Sequence, residues 1–482
     1  MKVKLEYGDG QVDVEVPEGS DVFETGVTVK DPEGIKDVKK ATLEAIRNPM
    51  DMKPISELVH KGSKVTIVFP DKVKGGFQDD SHRKTSIPLI IDECLKYGVE
   101  EKDILLICSN GLHRKNKPDE IRRILGDAIF DRFYPKGQII NHDSEDWDHL
   151  VDCGNEPKYG AKVVMNKYVY DSDICFLIGH AQGNPYGGYS GGYKHCATGI
   201  SNWECISSHH CPAVMHRDDF VPVTSHSLMR KKFDAIGEWM EHSMGKKFFC
   251  VDAVLDSFSH QIAVYAGEAH RVQEESWKIA DKRTYVRWAK KKYDVLIFGL
   301  PNDFQYGTRQ GRNPILVEQA ISAQVVRLKR VMSDKPVIIA LAQCDGDFGD
   351  EEFPAMKDVY NYFEKHGNTL PEIESYYNKM DTKKYIEMYR HHYAFHPYHA
   401  FSMISCAQIA ERDCAAVYIV GAKDPGTARG MGMKTRSTVM EAFEDAKKFV
   451  GDKPNVLVLP MTFKRPSVHL CMEDDKEWQK KF

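Results

Sequence analysis

A chain of 482 residues is longer than one ordinary hydrophobic core supports, so its length predicts two domains. With 66 Lys and Arg against 71 Asp and Glu the net charge is −5, which argues against nucleic acid as a partner. No run approaches the roughly 18 apolar residues of a membrane span and no signal-peptide core opens the chain, so a cytoplasmic protein with no membrane partner is expected.

The opening residues, MKVKLEYGDGQVDVEV, alternate polar and apolar around a turn and predict a β-hairpin. The apolar run KVTIVF (64–69) follows, then a charged loop in which Asp71 closes a strand and Lys74, Arg83 and Lys84 supply cations able to hold a carboxylate or phosphate. A solvated charged loop explains the same residues. After DILLIC (103–108) comes Asn110, then Gly111, which permits a tight turn, and His113, whose ordinary pKa near 6.5 suits acid and base work. Taken alone, such a histidine reads more readily as a solvated loop residue; the strand-and-turn setting moves the balance toward a site without deciding it.

The richest stretch follows the buried run DICFLIG (173–179). Residues 179–210, GHAQGNPYGGYSGGYKHCATGISNWECISSHH, bring His180, Asn184, the turn Ser190–Gly191–Gly192, Lys194 and the pair His209–His210. Glycines let backbone pack against a bound group, and the carboxyl end of a strand is where α/β proteins hold ligands, so this is a cofactor site by expectation.

A charged, partly helical segment (271–294) forms the predicted interdomain crossing. Beyond DVLIFGL (294–300), Asn313 and Pro314 predict an N-capped amphipathic helix carrying Leu316 and Gln319, with Arg309 and Arg312 beside a helix start that attracts anions. KPVIIALA (335–342), AAVYIVG (415–421) and NVLVLP (455–460) are further strands, and the polar 345–400 insertion holds Tyr389, His391, His392, His396, Tyr398 and His399. Those side chains serve either a ligand face or interdomain packing; a zinc site is disfavoured by the absence of HExxH spacing. The 12 cysteines are scattered without a CxxC pair, and Cys108, Cys175 and Cys250 in or beside apolar runs read as packed thiols.

Short apolar runs separated by helical patterns predict an α/β fold: two domains with mainly parallel sheets flanked by helices, and the active site in the interdomain cleft. Residues 1–275 are expected to form the cofactor-binding domain, 290–450 a lid and substrate domain, and 451–482 a tail free to return to the first.

Set together, GYSGGYK (188–194) with the following ATGI and histidine pair, and NGLHR (110–114), resemble the nickel-dependent lactate racemase family, in its SGGxK, PGI and TGTHR segments. Weaker echoes are NHD (141–143), AGEAH (266–270) and CDGDFGDEEF (344–353). The resemblance implies a nickel-pincer nucleotide, a pyridinium-3,5-dithiocarboxylic acid mononucleotide joined to Lys194 as a thioamide, with His210 the nickel ligand and His209 the fallback. It implies that Asp71, Asn110 and Gly111, with Ser190, Gly191 and Gly192, hold this cofactor, which other proteins must build. His113 would take the hydroxyl proton of a 2-hydroxy acid while its C2 hydride passes to the cofactor, and Lys74 or Arg83 would hold the carboxylate.

The chain departs from that pattern where substrate is expected. Asn184 stands at the position of the family's second acid/base histidine, with His180 a nearby substitute, and Lys74 replaces an arginine. Leu316 and Gln319 replace a substrate-contacting glutamine and lysine. Asn184 and Gln319 are therefore expected to meet a different substrate, a larger polar 2-hydroxy acid such as an aldonic sugar acid inverted at C2. A nicotinamide-dependent dehydrogenase is the alternative enzyme, though GxGxxG is missing; a nonenzymatic nickel-cofactor carrier is the other.

Overall fold

The computed structural model describes all residues except 77–80, 185, 218, 221–226, 367–371, 466–467 and 477–482. Two six-stranded sheets carry the architecture. In the first, the strands run in the order Gln261–Gly267, Phe249–Leu255, Ile174–His180, Val65–Phe69, Ile104–Cys108, Ile139–Asn141, and only the first of these is antiparallel to its neighbour. The strands Val65–Phe69, Ile174–His180 and Phe249–Leu255 are buried along their whole length, as unbroken apolar runs covered on both faces must be.

From Val65–Phe69 the chain builds outward to one side through residues 104–108 and 139–141, then returns to lay Ile174–His180 on the other side. The sheet order therefore reverses between Val65–Phe69 and Ile174–His180. Loops leaving the carboxyl ends of two such strands diverge and open a crevice, the usual place for a ligand in an open α/β sheet.

The second sheet is parallel throughout, in the order Lys434–Arg436, Ala416–Val420, Met332–Leu341, Tyr293–Gly299, Val456–Leu459, Asp21–Val22. Helices Pro314–Leu328 and Pro397–Asp413 pack against one another beside it; both are buried along nearly their whole length. The expected hairpin forms, Lys2–Tyr7 against Gly10–Glu15, and Gly8 bridges to Pro301 at the end of this sheet.

Two strands lie outside the expected division of the chain. Asp21–Val22, read with residues 1–275, and Val456–Leu459, read with the 451–482 tail, both belong to the second sheet. Farther on, His469–Met472 pairs in parallel with Tyr285–Ala289, the strand that follows helix Ala269–Thr284 in the charged crossing. The twelve cysteines are unpaired and all but Cys153 are buried. No helix among the described residues is long and apolar enough to cross a membrane.

Candidate active site

Three loops leave the crevice end of the first sheet, and each delivers a functional side chain. The loop after Val65–Phe69 starts with Asp71, which caps the short helix Lys72–Gly75 by accepting the Lys74 backbone N–H at 3.1 Å. Its other carboxylate oxygen accepts from His113 Nδ1 at 2.8 Å. The loop after Ile104–Cys108 reaches His113 through Gly111, whose positive φ of 56° and contact with the Thr198 carbonyl leave no room for a Cβ. The third loop, after Ile174–His180, turns through Gly191 and Gly192 into helix Tyr193–Gly199 and so presents Lys194.

Asp71 and His113 form a dyad with a defined proton arrangement. Burial pushes the Asp71 carboxyl up, but the His113 ring and the Lys74 charge and N–H together bring it below the ordinary value. It is a carboxylate and can only accept, so His113 Nδ1 carries the proton and Nε2 keeps its lone pair. Burial, only partly countered by Asp71, lowers the His113 pKa, so the free ring is neutral and basic at Nε2. Tyr306 and Phe395 meet this ring edge-on, with centroids 5.7 and 5.8 Å away. Asp71 itself is fully buried with both oxygens engaged, so the structure gives it to His113 and Lys74 rather than to a nucleotide.

His113, His180, Asn184, Ser190, Gly191, Lys194 and His210 line one cavity, together with Lys74. Lys194 Nζ donates to the Tyr186 carbonyl at 2.6 Å and lies 5.7 Å from the centre of the Phe233 ring. Burial, with Arg230 and Lys74 nearby, holds its amine well below the ordinary lysine value, a shift toward the uncharged form. Gly191 and Gly192 lie too close to Asp252 and Gln273 for any side chain, and Gly192 N–H donates to Asp252 at 3.1 Å.

The two histidines of the pair are placed differently. His209 Nε2 lies 3.2 Å from the Ala197 carbonyl, and the two Nδ1 atoms of His209 and His210 are 2.6 Å apart. Burial takes His209 down to about 3 and His210 well below its ordinary value, so both rings are neutral. A carbonyl accepts only, hence His209 carries its proton on Nε2 and accepts at Nδ1 from His210. His210 is then left with an unprotonated Nε2 at the cavity, the arrangement of a metal-ligating imidazole oriented by a second residue. His209 does not line the cavity. Among the described residues no group of three or more His, Cys, Asp or Glu side chains is placed to hold a metal by itself.

The remaining expected contacts separate sharply. His180 lines the cavity with its pKa driven to about 3 by burial, Arg83, His82 and Lys194. Asn184 also lines it, its side-chain oxygen accepting the Tyr186 backbone N–H at 2.8 Å. Lys74 Nζ donates to the Ser109 carbonyl at 2.6 Å and reaches the Thr198 carbonyl at 3.4 Å, which leaves one of three N–H groups for a ligand. Asn110 lies beneath the turn, donating to the His113 carbonyl at 3.2 Å.

Arg83 is elsewhere: its guanidinium donates to the carbonyls of Pro70, Gly75 and Gly76, bracing the Asp71 loop from behind, away from the substrate position expected for it. Gln319 is likewise behind the wall, hydrogen-bonded to the Tyr186 hydroxyl and accepting from Gln310 at 3.2 Å. Of the 389–399 cluster only His399 lines the cavity. Tyr389 donates to the Gly111 carbonyl at 2.7 Å, His396 pairs with Glu145 at 2.8 Å, Tyr398 donates to the His210 carbonyl at 3.2 Å, and His391 and His392 are exposed. Tyr186, Tyr306 and Ser402 line the cavity without having been expected there. Tyr186 stood inside the glycine-rich stretch and was legible in it; Ser402, on a helix buried all round, carried no signal.

Residues 7–220 match the family model described as the lactate racemase N-terminal domain. The lactate racemase of Thermoanaerobacterium thermosaccharolyticum is 22% identical over 314 residues, 64% of this chain and 66% of that one. That of Lactiplantibacillus plantarum is 23% identical over 233 residues, 47% of this chain and 51% of its own. The alignments thus span between half and two thirds of these relatives. The solved apoprotein of the Thermoanaerobacterium lactate racemase superposes with a TM-score of 0.70 at 18% identity, covering 98% of this chain and 100% of the other. A Thermotoga maritima protein superposes at 0.59 with 15% identity, over 90% and 97%. The two solved structures share its mixed α/β fold.

Proposed function

We propose that the chain is a divergent member of the lactate racemase family and an isomerase, a racemase or epimerase inverting C2 of a 2-hydroxy acid. The nickel-pincer nucleotide would be carried on Lys194, and a larger polar acid such as an aldonic sugar acid favoured over lactate. The observation that carries this reading is the convergence on one cavity of a basic imidazole, a buried lysine amine and a second imidazole with a free lone pair.

The residues fit the cofactor. Burial shifts the Lys194 amine toward its uncharged form, the one that condenses with a thiocarboxyl carbon. The Gly191–Gly192 turn packs without side chains against Asp252 and Gln273 and puts Gly191 in the cavity wall, and His210 would offer one imidazole nitrogen to the metal. Asn110 Oδ1, buried without a hydrogen-bond partner among the described residues, is available beneath the turn. When bound, such a group supplies reversible acceptance of the C2 hydrogen with its electron pair.

The chain's own residues manage the proton. His113 Nε2 takes the hydroxyl proton as C2–O becomes a carbonyl, and the Asp71 carboxylate on Nδ1 stabilises the imidazolium and keeps the ring in register. Returning the proton to oxygen after the carbonyl has been reduced from its other face completes the inversion. Lys74 holds the substrate carboxylate with its remaining N–H. For the second hand of the substrate Asn184 cannot move a proton, and His180, neutral and in the cavity wall, takes that role. The rings of Tyr306 and Phe395 exclude water around His113.

Intact-protein mass spectrometry with nickel analysis tests this on chain produced alongside cofactor-building proteins. A mass increment on Lys194 with bound nickel, lost in Lys194→Ala, is expected, followed by C2 inversion of 2-hydroxy acids in a chiral assay. No adduct under conditions that load a known lactate racemase would overturn the reading.

A further inference from the structure

Helix Pro397–Asp413 supplies one wall of the cavity through His399 and, one turn later, Ser402. His399 is 4% exposed and Ser402 4%. Neither His399 ring nitrogen has a hydrogen-bond partner among the described residues, nor has the Ser402 hydroxyl oxygen. Buried polar atoms are nearly always paired, so three unpaired atoms side by side on a cavity wall are spoken for by whatever fills it. The rings around His399 are Phe395 at 4.6 Å, Tyr306 at 5.0 Å and His113 at 5.6 Å between centroids, and none of them is hydrogen-bonded to it.

The chemistry of the missing partner follows from the wall. Burial, with His113 and His396 nearby, keeps His399 far below the ordinary histidine value, so its ring is neutral with one donor and one acceptor nitrogen. Ser402 likewise both gives and takes a hydrogen bond. A partner that does both is a hydroxyl group; a second carboxylate would only accept, and among the described residues this wall, with Gln305 and Tyr306 beside it, holds no cation to balance it. The wall lies against His113, the group assigned to the C2 hydroxyl, which puts it within reach of a group on the carbon next to C2.

Resting on the 2-hydroxy acid reading above, we infer that His399 and Ser402 form a specificity subsite for a hydroxyl on C3, selecting 2,3-dihydroxy monocarboxylates over both 3-alkyl acids and dicarboxylates. Glycerate and 2-hydroxybutanoate provide the probe, since they differ chiefly in a hydroxyl against a methyl on C3. A site built to hydrogen-bond a hydroxyl rejects the analogue that lacks it strongly, whereas an apolar pocket barely distinguishes the two.

The experiment measures kcat/KM for C2 inversion of both acids by the loaded enzyme, and their binding to the cofactor-free full chain by calorimetry. The expected result is a preference for glycerate of at least tenfold in both. His399→Phe and Ser402→Ala should each reduce that preference by lowering glycerate alone, and His399→Gln, which keeps a donor and an acceptor, should retain most of it. Equal handling of the two acids by the wild type, or variants that lower both alike, would overturn the subsite; the latter would place His399 against the cofactor. Inversion of neither acid with a glycerate preference intact in binding would instead count against the isomerase reading and leave the subsite standing.

Discussion

Replacing Asp71 by Asn isolates the dyad without dismantling its loop. The Asn carbonyl oxygen can still cap helix Lys72–Gly75 by accepting the Lys74 N–H, as Asp71 does at 3.1 Å. Its amide nitrogen then points at His113 Nδ1, where the carboxylate had accepted at 2.8 Å. A donor facing Nδ1 forces the ring proton onto Nε2, which is the atom required to be free. The substitution therefore keeps the side chain's shape and inverts the tautomer of the base. General-base catalysis is worth about 10²–10⁴-fold, and a wrongly tautomerised catalytic histidine falls at the upper end, so kcat should drop by about 10⁴-fold, about 5 kcal/mol of transition-state stabilisation. Because the cap survives, thermal stability should change little, on the order of 1 kcal/mol or less. The assay is the initial rate of C2 inversion by chiral chromatography, with Lys194 loading and nickel verified, alongside nitrogen NMR of the His113 ring. Combining Asp71→Asn with His113→Ala should cost little beyond His113→Ala alone, since the two act as a unit. A kcat within threefold of wild type, with the NMR still showing a proton on Nδ1, would refute the reasoning.

The histidine pair and the turn give two further predictions. His210→Ala should abolish nickel retention while leaving the Lys194 adduct mass unchanged, whereas His209→Ala, which removes only the support on Nδ1, should weaken nickel affinity about 10–100-fold; metal analysis after dialysis against a chelator separates them, and a reversed ranking would exchange their roles. Asp252, under the Gly191–Gly192 turn, is pushed up to about 7 by burial, against an ordinary 3.8. A carboxyl whose folded pKa is raised stabilises most below about pH 4, and that contribution is lost as pH rises toward 7, roughly 4 kcal/mol in all. Asp252→Asn should flatten the loss in denaturant titrations between pH 4 and 7, and an unchanged pH slope would show that Asp252 ionises normally.

Most of the sheet framework was legible because parallel strands covered on both faces must be unbroken apolar runs. KVTIVF, DILLIC, DICFLIG, DVLIFGL, KPVIIALA, AAVYIVG and NVLVLP all became strands of the two sheets. What escaped was where edge strands would settle. Asp21–Val22 is two residues long, too short for any period, and its place beside Val456–Leu459 is fixed by the far end of the chain. The pairing of His469–Met472 with Tyr285–Ala289 is equally non-local.

The candidate site divides along a similar line. The cavity positions of His113 and Lys194 were readable because glycine-dependent turns fix where the backbone must go, and a turn at a strand's end leaves few directions for its next side chain, whereas His210 was singled out only through the family resemblance. Arg83 and Gln319 were misplaced for a reason the sequence does not carry: both have the chemistry of ligand contacts, but one satisfies three carbonyls of its own loop and the other holds Tyr186. A buried polar side chain facing a cavity and one facing backbone are identical in sequence, and only the count of satisfied partners separates them. By that count the residues proposed to meet substrate, His399 and Ser402, are among those left with atoms to spare. They lie on helix Pro397–Asp413, about two hundred residues from the glycine-rich turn that announced the site; His399 stood among polar side chains readable as a ligand face, whereas Ser402 sits where burial all round reads in sequence as plain core.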